Sequence, residues 1–218
     1  VDPMQTLGLS EQGMSLVNKL GLLESDINIL MPVRVTQAKN IEFALEVVAE
    51  LKKMDLSPLL IVTGPPDPHD PESMSYFQSL KDLRDEFGVA DEMRFIFESG
   101  PDPDEPFIID EEVVGDLYRV SDIMFMPSHR EGFGMPVLEA GLAGIPIVST
   151  DVPAAQELAE EEASIFSADA DAEFVADCLV RTLEQSPTAR LRSTSKQYTL
   201  QAIFEDSIQP LLQTRGEI

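Results

Sequence analysis

Apolar runs rich in branched residues alternate with amphipathic helical patterns from about residue 27 to residue 167, and this alternation narrows the possible folds more than any other feature. The runs span residues 27–35, 59–64, 93–100, 122–128, 145–150 and 163–167, and each reads as a buried strand. Between them, Ile41, Ala44, Leu45, Val48 and Leu51 share one helical stripe, and Tyr76, Leu80, Leu83 and Phe87 share another. The connections are too long for hairpins. Strand then helix, repeated, predicts an α/β fold: a doubly wound parallel sheet of about six strands with helices on both faces.

A chain of 218 residues suits a single domain, here 1–218, with a core over 27–185 and helices over 186–218. No internal repeat is evident. No apolar run approaches the roughly 18 to 20 residues of a membrane span, so the expectation is a soluble, globular protein. The start at Val1 has neither a basic stretch nor an apolar core, which predicts that the chain begins inside a longer protein. Cys178 is the sole cysteine and cannot form an intrachain disulfide; its helical spacing with Phe174, Leu179 and Leu183 predicts a buried thiol and fits a reducing cytoplasm. With a formal net charge of −25, general binding to nucleic acid or anionic membranes is excluded, because so few Lys and Arg cannot neutralise a line of phosphates. Any phosphate must be met by local donors. The same excess of acid over lysine fits either an ordinary acidic surface or a high-salt source.

Two loops stand out. Residues 64–73 hold four prolines, and Asp70-Pro71 reads as an N-cap followed by a first-turn proline. Asp67, His69, Asp70 and Glu72 there could in principle hold a metal, but their spacing matches no standard ligand pattern and capping explains them, so no metal is expected. Residues 99–112 are strongly acidic and read as a solvated excursion before the helix "EEVVGDLYRV".

In parallel sheets ligands bind beyond the carboxyl ends of the strands, where loops meet helix N-termini. There lies "PSHREGFGMPVLEAG", residues 127–141, with Glu131 and Glu139 eight positions apart. Gly132, Gly134 and Pro136 break any helix joining the two, and Pro136 suits a first helical turn, so a helix starts near it with Glu139 about one turn in. Unpaired amides at that start, approached closely through the glycines, form a site for an anion such as phosphate. Arg34 and Lys39, after the first strand, face the same crevice if the two strands are neighbours. Each signal alone has an ordinary explanation: surface cations around a loop, and a glutamate complementing a helix dipole. A glycoside hydrolase would instead use the two carboxylates as acid and base, roughly 5 to 10 Å apart, and would leave the anion site without a purpose. His129 and Arg130 read as solvated or structural.

"EGFGMPVLE" resembles the Glu, seven residues, Glu motif of the retaining nucleotide-sugar glycosyltransferases of the GT-B fold, group 1 or family 4. "PVRVTQAKNIEFALEVVAEL", "DLYRVSDIMFMPS" and "AGLAGIPIVSTDVPAAQEL" are similar to the segments around it in that family, so the resemblance covers about 27–158. It implies a Rossmann-like domain, the C-terminal half of a GT-B enzyme, that binds a UDP- or GDP-sugar and transfers the sugar with retention. By the resemblance, Arg34 and Lys39 bind the diphosphate, and Glu131 meets hydroxyls of the sugar. Glu139 accepts from the ribose, and backbone groups of Gly132, Phe133, Gly134 and Met135 hold sugar and phosphates. Glu98, Ser99 and Gly100 lie where the family recognises the base, although the acidic loop after them departs from its short connection; Val33 stands where the family often has Gly. The same resemblance implies an acceptor-binding N-terminal domain outside this chain, through which peripheral membrane association is possible, and a fragment inactive alone. It implies no prosthetic group. The alternative within this fold is a non-catalytic module that binds a nucleotide or a partner.

Overall fold

Six strands form one parallel sheet in the order β3-β2-β1-β4-β5-β6. They are β1 (Ile27–Met31), β2 (Pro58–Val62), β3 (Met93–Phe95), β4 (Ile123–Met126), β5 (Ile147–Thr150) and β6 (Ser164–Phe166). This is a computed structural model, and it describes residues 2–102, 105–159 and 161–214. Helices α1 (Pro3–Leu7) and α2 (Glu11–Leu20) precede the sheet. The crossovers carry α3 (Ile41–Lys53), α4 (Pro71–Glu86), α5 (Glu111–Val120), α6 (Met135–Ala143) and α7 (Pro153–Ala159). After β6 come α8 (Ala172–Gln185), α9 (Pro187–Gln197) and further helical turns to Thr214.

Each central strand buries both faces, because helices cover both. Ile29, Leu60 and Phe125 point to one side, with Leu45 and Leu51 of α3 and Leu179 of α8. Leu30, Ile61 and Met124 point to the other, with Leu16 of α2, Leu117 of α5 and Val137 of α6. The predicted stripe of α3 is buried as expected. On α4 the fully packed residues are Phe77 and Leu80, Phe77 meeting Phe95 edge-on at 4.9 Å between ring centroids.

Some expectations need correction. β1 ends at Met31 rather than at residue 35, since Pro32 has no N–H to continue the ladder. β3 pairs only with β2, whose register ends at Val62 opposite Phe95, and the next residues wind into a short 3-10 turn, Ile96–Glu98. On α8 the buried face is Val175, Ala176 and Leu179, which turns Phe174 outward, 49% exposed beneath the Arg181 guanidinium. Cys178 is half-buried.

Below the sheet, at the amino ends of β1 and β4, sits a polar knot. Asn28 Nδ2 donates to Leu22 O (2.5 Å), its backbone N–H donates to Asp122 Oδ2 (2.8 Å), and Lys196 Nζ of α9 reaches the same carboxylate oxygen at 2.8 Å. Arg192 donates to Ser121 O. These contacts hold α9 against the sheet's base, at the end opposite the loops that follow the strands' carboxyl ends.

Candidate functional site

The chain runs from β1 outward through β2 to β3, then returns to place β4 on the other side of β1. The loops after β1 and β4 therefore diverge over a crevice at the carboxyl edge of the sheet, where such folds bind ligands. A backbone bond closes its floor: His129 N–H donates to Ala38 O at 3.0 Å. That bond sets Lys39 beside the loop after β4, and Lys39 Nζ meets Glu131 Oε2 at 2.5 Å. The other oxygen of Glu131 accepts from Gly132 N–H (3.1 Å). Lys39 thus lies against the loop after β4.

α6 begins at Met135, one residue before the proline that marked it in the sequence. Gly134 takes φ +82, and a Cβ there would lie 2.9 Å from the Ala154 Cβ, so this position needs glycine twice over. Pro136 has no N–H, and Val137 N–H is taken by Gly134 O (2.9 Å). The amides of Phe133, Gly134 and Met135 have no protein acceptor among the described residues, so these three are the unpaired donors at the start of the helix. Phe133 and Met135 expose their side chains, at 69% and 52%.

Glu139 sits one turn into α6, half-buried. Its Oε2 accepts from the hydroxyl of Tyr118 on α5 at 2.8 Å. Sequence reasoning left Tyr118 unremarked within the helix "EEVVGDLYRV", although a buried tyrosine poses the question of where its hydroxyl goes. Burial first, then this hydrogen bond to Glu139, holds the phenol's pKa well above its ordinary range.

Arg34 stands apart from the Lys39–Glu131 pair. It is exposed, has no hydrogen bond or ion pair among the described residues, and lines a cavity of about 350 Å³ with Pro65, Asp67, Asp70, Glu72 and Tyr76. Gly64, at the end of β2, packs against its backbone: a Cβ there would lie 2.6 Å from Val33 O and 2.8 Å from Arg34 Cα. The small residue at this contact is therefore on the neighbouring strand, facing Val33. The acidic residues of the proline-rich loop serve local turns, with Asp67 Oδ1 accepting from His69 N–H and Asp70 Oδ1 from Glu72 N–H, both at 3.0 Å. Among the described residues, no three His, Cys, Asp or Glu side chains gather as metal ligands do.

Glu98, Ser99 and Gly100 follow the edge strand β3. Glu98 pairs with Arg84, Ser99 Oγ donates to Phe95 O (2.7 Å), and Gly100 O accepts from Lys19 Nζ. The side chains of Glu98 and Ser99 and the carbonyl of Gly100 are thus engaged with the protein. His129 and Arg130 are exposed.

The sequence profile described as glycosyl transferases group 1 matches residues 15–198. The chain belongs to this family. Among curated group 1 relatives, the mannosylglucosylglycerate synthase of Petrotoga mobilis is 26% identical over 165 residues, 66% of this chain and 36% of that protein. This chain therefore spans little more than a third of that relative's length. Two solved structures share the fold of this glycosyltransferase chain. The C-terminal domain of a group 1 glycosyl transferase from Francisella tularensis superposes with a TM-score of 0.60 at 23% identity, covering 96% of this chain and 100% of that one. An Anabaena protein crystallised with UDP and glucose gives 0.62 at 16% identity, over 96% and 53%. The Rossmann-like sheet and its helices match GT-B glycosyltransferase structures. Among the described residues no helix is long and apolar enough to cross a membrane.

Proposed function

We propose that this chain is the donor-binding, C-terminal domain of a retaining glycosyltransferase that takes a UDP- or GDP-sugar. The observation that carries the reading is the pairing of Lys39 with Glu131, which stands two residues before three unpaired amides at the start of α6. An anion-binding helix end beside a lysine suits a diphosphate, and a carboxylate at its rim suits the hydroxyls of the attached sugar. Arg34 reaches the diphosphate from the loop after β1, and Glu139 takes the ribose.

Transfer breaks the bond between the anomeric carbon and the distal phosphate oxygen and forms one from that carbon to the acceptor oxygen on the same face. The acceptor's proton passes to the departing phosphate. The protein's task is to stabilise the charge that grows on the diphosphate, and Lys39, Arg34 and the amides of Phe133, Gly134 and Met135 are the donors placed to do so. Acceptor binding falls to a domain outside this chain, so donor binding without transfer is the expected behaviour here. That other domain would also carry any contact with a membrane surface. A cytoplasmic location fits the supply of nucleotide sugars and the unpaired Cys178.

The test is calorimetry of the folded chain against a panel of UDP- and GDP-sugars. Saturable binding of one nucleotide class is expected; absence of heat with every member, from a chain shown to be folded, would overturn the reading.

A further inference from the structure

The Glu139 side chain is held from behind by a residue of the core. Tyr118 lies on α5, 4% exposed within the core formed by Leu117, Val137 and Ala140. Its hydroxyl emerges at the seam between α5 and α6, 2.8 Å from Glu139 Oε2 and 3.4 Å from Pro136 O. Glu139 Oε1 has no protein donor among the described residues. One carboxylate oxygen is therefore tethered and the other is left free.

A glutamate has three rotatable side-chain bonds, and an untethered one must lose that freedom whenever it grips a ligand. A tether of this kind removes the loss in advance. The chemistry of the tether also matters. A cation in the place of Tyr118 would neutralise the carboxylate and compete for it, whereas a neutral phenol fixes its direction and leaves its charge on the free oxygen. Because burial keeps the phenol protonated, the bond runs one way only, from tyrosine to carboxylate. We propose that Tyr118 is a positioning residue that makes the site selective for ribose over deoxyribose, by fixing Glu139 Oε2 so that Oε1 presents itself to a ribose hydroxyl. This rests on the reading above in which Glu139 takes the ribose.

Calorimetry with UDP and GDP and with their 2′,3′-dideoxy counterparts tests it. The unaltered chain should prefer the ribose form of its nucleotide by roughly ten-fold or more, as expected for a hydrogen bond to a charged group. Tyr118→Phe keeps the ring and its packing; it should weaken the ribose form roughly five-fold and leave the dideoxy form unchanged. In a Glu139→Ala background the same substitution should change neither affinity, a result that a merely structural tyrosine would not give. Equal loss for both nucleotides, or a ribose preference that Tyr118→Phe leaves undiminished, overturns the role of Tyr118 while leaving Glu139 as the ribose contact. No preference in the unaltered chain removes Glu139 from the ribose and this inference with it. Should Tyr118→Phe not fold, Glu139→Asp draws the carboxylate back from the phenol by one methylene and should reduce the preference in the same way; an undiminished preference there also overturns the inference.

Discussion

Lys39 Nζ lies 2.5 Å from Glu131 Oε2, with side chains 18% and 11% exposed, so the lysine at the crevice is already paired before any ligand arrives. A diphosphate must compete with Glu131 for that cation. Glu131→Gln removes the competitor and keeps the shape. Free UDP or GDP should then bind about three- to ten-fold more tightly, while the added affinity contributed by an attached sugar should vanish with the lost carboxylate. Lys39→Ala should do the reverse and weaken the free nucleotide by about 1.5–3 kcal/mol, because Glu131 then faces the phosphates uncompensated. Calorimetry reads both; a Glu131→Gln chain that binds free nucleotide more weakly would show that the carboxylate assists the phosphate rather than opposing it.

Arg34 is exposed and unpaired among the described residues, so its removal should cost the fold almost nothing. Arg34→Ala should weaken nucleoside diphosphate binding by about 1.5–3 kcal/mol with an unchanged unfolding midpoint. Unchanged affinity would assign Arg34 to the cavity it shares with Asp67 and Glu72, and not to the phosphates.

The central strands were legible because their burial on both faces writes itself as unbroken apolar runs, and the loop after β4 because two glycines and a proline cannot continue a helix. The Lys39–Glu131 pair, 92 residues apart in sequence, was reachable only through the assumption that β1 and β4 are neighbours. Strand ends were read too long where pairing, not apolarity, decides: Pro32 stops β1, and β3 stops where β2 does. Tyr118 and Glu139 meet through the packing of one helix face on another, which periodicity does not rank. Gly64 shows the same limit. Its need for a bare Cα comes from the Val33 carbonyl in the segment after β1, not from its own φ.

Stability at alkaline pH should report the buried phenols. Tyr118 and Tyr76 both have raised pKa values, from burial first and then from hydrogen bonds to Glu139 and Glu42 respectively. Below the ordinary value near 10 the phenols are neutral in both states and their contribution is fully present. Above it the unfolded chain releases protons that the folded chain retains, so stability falls as pH rises, by at most about 1.4 kcal/mol per pH unit for each tyrosine. The slope should be smaller for Tyr76, which solvent screens in part. Urea unfolding between about pH 9.5 and 11.5 should show a shallower decline in Tyr118→Phe than in the unaltered chain; parallel declines would mean that the phenol ionises as freely when folded as when unfolded.

At the other end of the sheet, Lys196 and Asp122 test whether α9 is part of the folded body. Their charged atoms are 2.8 Å apart, and the side chains are only 11% and 5% exposed. Asp122 Oδ1 has no partner among the described residues, so the carboxylate depends on what meets Oδ2: the Asn28 amide and Lys196. Removing the lysine strands a buried charge, which typically costs about 3–5 kcal/mol. Lys196→Met should lower the urea midpoint accordingly, with an unchanged slope and unchanged nucleotide affinity, since the knot lies at the amino ends of the strands and the site at their carboxyl ends. The exposed pair Lys53–Glu50, at 2.7 Å, is the control; Lys53→Ala should shift stability by less than about 0.5 kcal/mol. If the two substitutions proved equally mild, α9 would be resting on the sheet without holding it, and the body of the domain would end near Gln185.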